Sequence, residues 1–332
     1  VTGVAILLTL MRSSSEIIVP FLFSIFIAII AATPLNWLKK RGLSTLVSVI
    51  IVVTILVIVL ALLALLLGNT AAQFNQAMPT YQLRLDELTS ALAVSLEAKG
   101  IKISEAGILK ALDPGAVMGF ANSMITGLGS ALSNIFLILF TVIFMLIDAA
   151  GFPRKLAAID GQNAESTLQR LVEVMESVNR YVVAKAIVSL ATGVLIWIAL
   201  ALIGLDFAPL WGFLAFLLNF VPNIGSIIAA VPAVLIAVLQ LDPTMVLVVI
   251  AVYVFVNIVI GNVIEPMIMG QRVGLSTLAV FLSLVFWGWM FGPVGMLLSV
   301  PLSMVVKFAA QTSPQTQWIA VLLSPAPEQS DS

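Results

Sequence analysis

The chain has 332 residues, of which 61% are apolar and 9% charged, and its net charge is −1. Soluble globular proteins carry about 25% charged residues, so lipid must solvate much of this chain, and near-zero net charge offers no attraction to nucleic acid. Cysteine and histidine are absent and no G-x-x-x-x-G-K-[ST] stretch occurs, which excludes disulfides, thiol and imidazole chemistry, Cys/His metal sites and a nucleotide-driven engine, and implies no enzyme, cofactor or metal.

A helix needs about 20 apolar residues to cross a hydrocarbon core of ~30 Å. The run from Val1 to Met11 reads as the second half of a span that begins ahead of it; a cleaved signal peptide is the weaker reading, because the following chain stays apolar. Charge-free runs then cover 17–38, 42–83, 114–147, 186–205, 207–241, 243–264 and 273–306. In the second run the apolar part is 43–67, and the third becomes strongly apolar over 131–147. Between them, Tyr81, Leu85, Leu88, Leu92 and Leu96 make one helical stripe, and Asp113-Pro114 reads as an N-cap with Pro at the first helical position. A second amphipathic helix follows Asp148: Leu168, Leu171, Met175, Val178 and Val182 share one face, with Arg170, Glu173, Glu176 and Arg180 opposite. Both amphipathic segments read as packing against the membrane domain or as subunit contacts. Asp148 and the tryptophans Trp211, Trp287 and Trp289 read as interfacial or packing residues.

Runs 207–241 and 273–306 are too long for one crossing, since 35 helical residues extend about 52 Å. Each carries breakers near its middle: Pro222 and Gly225 in the first, Gly292, Pro293 and Gly295 in the second. Both therefore read as helical hairpins that enter the membrane and return. They also resemble each other weakly, with Val231-Pro232 following the first break and Val300-Pro301 the second. Lys39, Lys40 and Arg41 place their loop in the cytoplasm. Counting onward, the ends at Asp206 and Asp242 face the periplasm and those at Arg272 and Lys307 face the cytoplasm, so the hairpins enter from opposite sides, a transporter design.

The expected fold is an all-α polytopic membrane protein with about six full spans plus two inverted re-entrant helical hairpins, and short amphipathic helical segments on each side. The chain divides into N-terminal spans at 1–67, a periplasmic helical segment at 68–113, an amphipathic helix and fourth span at 114–147, a cytoplasmic amphipathic segment at 148–185, a transport core at 186–307 and a C-terminal tail at 308–332.

Polar residues inside apolar runs mark candidate sites. Asn219, Asn223 and Ser226 surround the first break; the two amides either bind a polar solute or cap the broken helix ends. Asn257, Gly261 and Glu265 are four apart and share a helix face, with Asn262 beside them. Glu265 reads either as an interfacial ion pair with Arg272 or as a proton- or cation-coupling carboxylate. A solute site between the hairpin tips would use Asn219, Asn223, Ser226, Asn257 and Asn262. A non-transporting scaffold or sensor is the third class, and it leaves the broken hairpins without a role.

Five stretches carry a family resemblance: EIIVPF at 16–21, LDP at 112–114, LNFVPNIGS at 218–226, GNVIEPMIMG at 261–270 and GLSTLAVFLSLVFWGWMFGPVGMLLSVPL at 274–302. In these the chain resembles the bacterial autoinducer-2 exporter family over nearly its whole length. The resemblance implies a multi-pass protein of the bacterial inner membrane that exports autoinducer-2, a small neutral polyhydroxylated molecule. It also implies a homo-oligomer, with a pentamer as the candidate state. Some relatives are regarded as sodium/proton antiporters, which keeps cation/proton exchange through Glu265 as the alternative.

Overall fold

In lipid every backbone N–H and C=O must find an internal partner, so long apolar runs fold as helices. The computed structural model describes residues 2–98, 134–148, 164–222, 224–269, 274–311 and 314–325, and every regular element among them is helical. In chain order these are α1 (Thr2–Ser13), α2 (Ser15–Lys40), α3 (Thr45–Ala98), α4 (Ile135–Asp148), α5 (Ala164–Ile203), α6 (Ala208–Leu218), α7 (Gly225–Gln240) and α8 (Pro243–Asn257). A π-helical segment (Ile258–Ile264) continues α8 into α9 (Glu265–Met269), followed by α10 (Thr277–Gln311) and α11 (Gln317–Leu323). Among the described residues, five helices are long and apolar enough to cross a membrane, and many of their large apolar side chains, such as Leu202 and Phe255, are exposed to the surroundings. The protein is an all-α, multi-pass membrane protein.

Two helices run further than the polarity of the sequence suggests. The division at 67/68 falls inside α3, which continues unbroken from Thr45 to Ala98, about 80 Å, with Pro79 in its outer half. The division at 185/186 likewise falls inside α5. At both points the solvent preference of the side chains changes while no proline removes a backbone hydrogen bond, and Gly68 keeps its own N–H, so the helix carries on. The stripe on the outer half of α3 packs inward: Phe74, Tyr81 and Leu85 are buried in the main core with α5, α6, α7 and α8. Asp113-Pro114 and the other LDP residues lie outside the described residues.

The run 207–241 reverses between α6 and α7. These helices have 11 and 16 residues, about 16 and 24 Å, each short of a full crossing. A Cβ on Gly225 would sit 1.8 Å from the Leu218 carbonyl oxygen, so only glycine admits this turn. The run 273–306 reverses too, at Gly292, whose φ of 63° and ψ of −146° interrupt α10. Ser303 Oγ donates to Ser283 Oγ at 2.6 Å; in an uninterrupted helix these atoms would be about 30 Å apart. Trp287 Nε1 also reaches Ser303 Oγ at 2.9 Å. Gly295 repeats the part played by Gly225, since its Cβ would meet the Trp287 carbonyl oxygen at 2.0 Å.

The bases of the two hairpins lie at opposite ends of the α8–α9 stretch. Gln240 Oε1 accepts from the Asp206 N–H at 2.8 Å, and its amide nitrogen donates to the Gly204 carbonyl at 2.9 Å, closing the first base. The next residues start α8, where the Asp242 carboxylate accepts from the N–H groups of Thr244 and Met245. The chain then travels 243–269, about 40 Å along the axis, before the second base. There Lys307 Nζ donates to the Gly274 carbonyl, and the Ser276 N–H donates to the Leu323 carbonyl of α11. The tips converge. Phe220 at the first turn shares a buried cluster with Leu298 and Val300 of α10, with Val294 packed against it.

Candidate functional site

Helix α5 is the wall against which the first hairpin is built. Gly193 and Gly212 let α5 and α6 touch backbone to backbone, since a Cβ on either would fall within 2.7 Å of the other's carbonyl oxygen. This contact carries the turn to the level of Ser189, where Asn219 Nδ2 donates to Ser189 Oγ at 3.0 Å. Asn219 thus uses its side-chain amide across the helix interface, while its backbone N–H closes the C-terminal end of α6.

A cleft opens between α5, the first hairpin and the α8–π stretch. It is lined by Thr192 and Ile196 of α5, Asn219 and Ser226 at the broken turn, and Tyr253, Asn257 and Gly261 on the third side. Its polar groups are hydroxyls and amides, with no charged side chain among the lining residues. Its cavity volume of about 10 Å³ suits one water molecule, so a larger solute needs one wall to move.

The structure therefore gathers Asn219, Ser226, Asn257 and Gly261 at one place. Asn262 is exposed and stands off the cleft lining. Residues 258–264, which carry both Gly261 and Asn262, are wound as a π-helix. Pro222 is half-buried in the first turn, and Pro293 is exposed beside Gly292 in the second. Asn223 and Arg272 lie outside the described residues.

Glu265 meets a partner that charge counting along the chain did not suggest. Lys185 Nζ lies 2.5 Å from Glu265 Oε1, with the Lys185 side chain 5% exposed and that of Glu265 24% exposed. The pair ties the middle of α5 to the first residue after the π-helical segment. Its signal was present in the sequence, because Lys185 continues the apolar stripe of Val178 and Val182 by three residues and is followed on it by Ser189. A lysine on the buried face of a helix needs a partner. Tyr253 was also legible, four residues before Asn257 on the same helix.

Away from the cleft, Tyr81 Oη donates to Asp206 Oδ2 at 2.7 Å and so pins the outer half of α3 to the first hairpin's base. Burial raises the Tyr81 phenol well above its ordinary value, and the Asp206 hydrogen bond and charge raise it further. Phe207, at a φ of 59°, is held in this left-handed conformation among the rings of Phe74, Tyr81 and Trp211. Trp211 is buried and donates to the Asp206 carbonyl, whereas Trp289 is half-exposed and stacks under the Arg12 guanidinium at 4.8 Å.

Comparison with known proteins agrees with this architecture. The family profile described as AI-2E family transporter matches residues 2–315. The AI-2 transport protein TqsA of Escherichia coli K12 is 39% identical over 321 residues, covering 96% of this chain and 92% of its own. A Haemophilus influenzae protein is 38% identical, covering 97% and 94%. Escherichia coli YhhT is 36% identical, covering 97% and 92%. The names of the last two assign transport provisionally and specify no solute. A match of this extent, over a chain with paired broken hairpins, places the protein in the AI-2E transporter family.

Proposed function

We propose that the protein is a secondary transporter that exports autoinducer-2 across the inner membrane without changing it chemically, through the cleft between α5, the first hairpin and the α8–π stretch. The observation that carries this reading is the cleft's chemistry: hydroxyls and amides from three elements, and no charge. Such a lining recognises a neutral hydroxylated solute by hydrogen bonds and offers nothing to neutralise an ion. A relative over nearly the whole chain that is named for AI-2 transport supports the same solute. In this reading Asn219, Asn223, Ser226, Asn257 and Asn262 bind solute. The two hairpins enter from opposite membrane faces, and Pro222, Gly225, Gly292, Pro293 and Gly295 hold their breaks. Assembly as a homo-oligomer, with a pentamer as the candidate, follows from the family resemblance and is tested by native mass measurement in detergent. The central test is autoinducer-2 release from cells expressing Asn219→Ala or Asn257→Ala at matched membrane levels. A fall of about tenfold for either is expected from one lost solute hydrogen bond. Wild-type release in both variants removes the site.

A second reading has one observation in its favour. The Lys185–Glu265 pair places a partly exposed carboxylate and a buried ammonium together within the transport core, which is the equipment for cation/proton exchange. Reconstituted vesicles decide it: sodium-dependent proton flux that disappears in Glu265→Gln supports exchange, and absence of such flux in the wild type rejects it. Arg272 enters this reading as a further cationic partner for Glu265.

A further inference from the structure

Three tyrosines occur in the chain, and one of them has an unexplained hydroxyl. Tyr253 is 7% exposed and lines the cleft, yet its hydroxyl forms no hydrogen bond with any protein group. It is the single buried side-chain polar atom without a partner among the described residues. A buried hydroxyl left unmade is destabilising relative to the same ring without it, so phenylalanine would serve the packing of α8 better. Two neighbouring groups are engaged elsewhere. Thr192 Oγ1 donates to the Val188 carbonyl of its own helix at 2.9 Å, and the Asn219 amide nitrogen is held by Ser189. Tyr253 is thus a buried lining hydroxyl held in reserve, on the wall facing the broken turn.

We propose that the Tyr253 hydroxyl is a solute-binding and specificity-determining group, which hydrogen-bonds a hydroxyl of a small, uncharged, polyhydroxylated solute lying between α8 and the first hairpin. This deepens the reading of the cleft as the transport site and rests on it. A phenol can donate and accept, as an alcohol can, while its ring presents an apolar face to the carbon-bound hydrogens of a compact ring-shaped polyol. Bare cations and carboxylates gain less here, because no lining group carries a compensating charge. The bond forms only when the cleft is occupied. Its stabilisation therefore appears on binding, and a site built to hydrogen-bond a hydroxyl discriminates strongly against the analogue that lacks it.

The test compares wild type with Tyr253→Phe, both purified in detergent and both reconstituted. Without solute, Tyr253→Phe unfolds at the same temperature as wild type or higher; a lower temperature means that the hydroxyl serves the protein itself and overturns the proposal. Binding is then measured by calorimetry with autoinducer-2 and with glycerol, erythritol and ribitol as probes. Affinity for the best of these falls about tenfold in Tyr253→Phe, as one unreplaced hydrogen bond requires, with little change for its deoxy analogue. Equal affinities in the two proteins mean that the hydroxyl meets only water and overturn the proposal. So does a wild type that binds none of the four. If a polyol binds with the tenfold difference while autoinducer-2 is neither bound nor moved, the export reading fails and the assignment of Tyr253 stands.

Discussion

Replacing Lys185 with Met keeps a side chain of similar length on the buried face of α5 but leaves Glu265 without its cation. Removing one partner of a buried ion pair costs about 3–5 kcal/mol. Glu265 keeps 24% exposure, so water recovers part of its solvation and the loss falls to about 2–3 kcal/mol. Glu265→Met does the opposite. It strands an ammonium whose side chain is 5% exposed, and the full 3–5 kcal/mol (about) applies. The double variant places two flexible apolar chains in contact and should lie closer to wild type than either single variant, because a packed apolar pair often replaces a buried ion pair at no net loss. Denaturant unfolding in detergent, followed by tryptophan fluorescence, measures all four proteins. The ordering, with Glu265→Met the worst and the double variant the mildest, is a direct consequence of the two exposures. Losses that add in the double variant, within about 0.5 kcal/mol, would refute the pair as an energetic unit.

Three further outcomes follow from other contacts. Gly225→Ala and Gly295→Ala should each abolish monodisperse folded protein on size-exclusion chromatography, since each Cβ would collide with a carbonyl oxygen at 1.8 and 2.0 Å; Gly68→Ala, with open space around it in α3, should be neutral or stabilise by about 0.5–1 kcal/mol. Tyr81→Phe removes a hydrogen bond to Asp206 and should cost about 1.5–3 kcal/mol at neutral pH. Because the folded-state value of this phenol is raised, its contribution is fully present below pH 10, the ordinary tyrosine value, and is lost as pH climbs further; the difference between wild type and Tyr81→Phe should shrink in that alkaline range. The chain has no native cysteine, so Asp242→Cys should react with an impermeant thiol reagent in intact cells and Arg272→Cys only after the membrane is opened. Labelling of both from one side rejects the opposite-face arrangement of the hairpins.

Much of the fold was legible because lipid-facing sequences are constrained by length. Runs too long for one crossing, with Pro and Gly near their centres, led directly to the reversals at residues 219–224 and at Gly292. Helix ends were less legible. The passage from apolar to polar at residue 68 changes the solvent a side chain prefers, and α3 passes through Gly68 because a glycine weakens a helix without removing a backbone hydrogen bond. At the site, Asn219, Ser226 and Asn257 could be picked out as polar atoms in apolar runs, and they do line one cleft. Asn262 adjoins Gly261 in the sequence and is not among the residues lining the cleft. Lys185 escaped notice because charges were read as the boundaries of spans, although its helix continues for 18 residues beyond it to Ile203. Charge pairs between distant helices, here 80 positions apart, have no signature in local periodicity.

The π-helical segment has a mechanical consequence. Relative to an α-helix it stores one surplus residue of winding. Were that surplus to be taken up, the helix on one side would turn by about 100° and slide by about 1.5 Å against the other. Glu265 stands just after the segment, and Tyr253 and Asn257 stand just before it. No single rewinding can leave both ends where they are: if the salt link to α5 holds, the cleft wall rotates, and if the wall holds, the carboxylate swings off Lys185. Any such rewinding would travel in discrete steps, set by the geometry of a peptide unit and not by the softness of a loop.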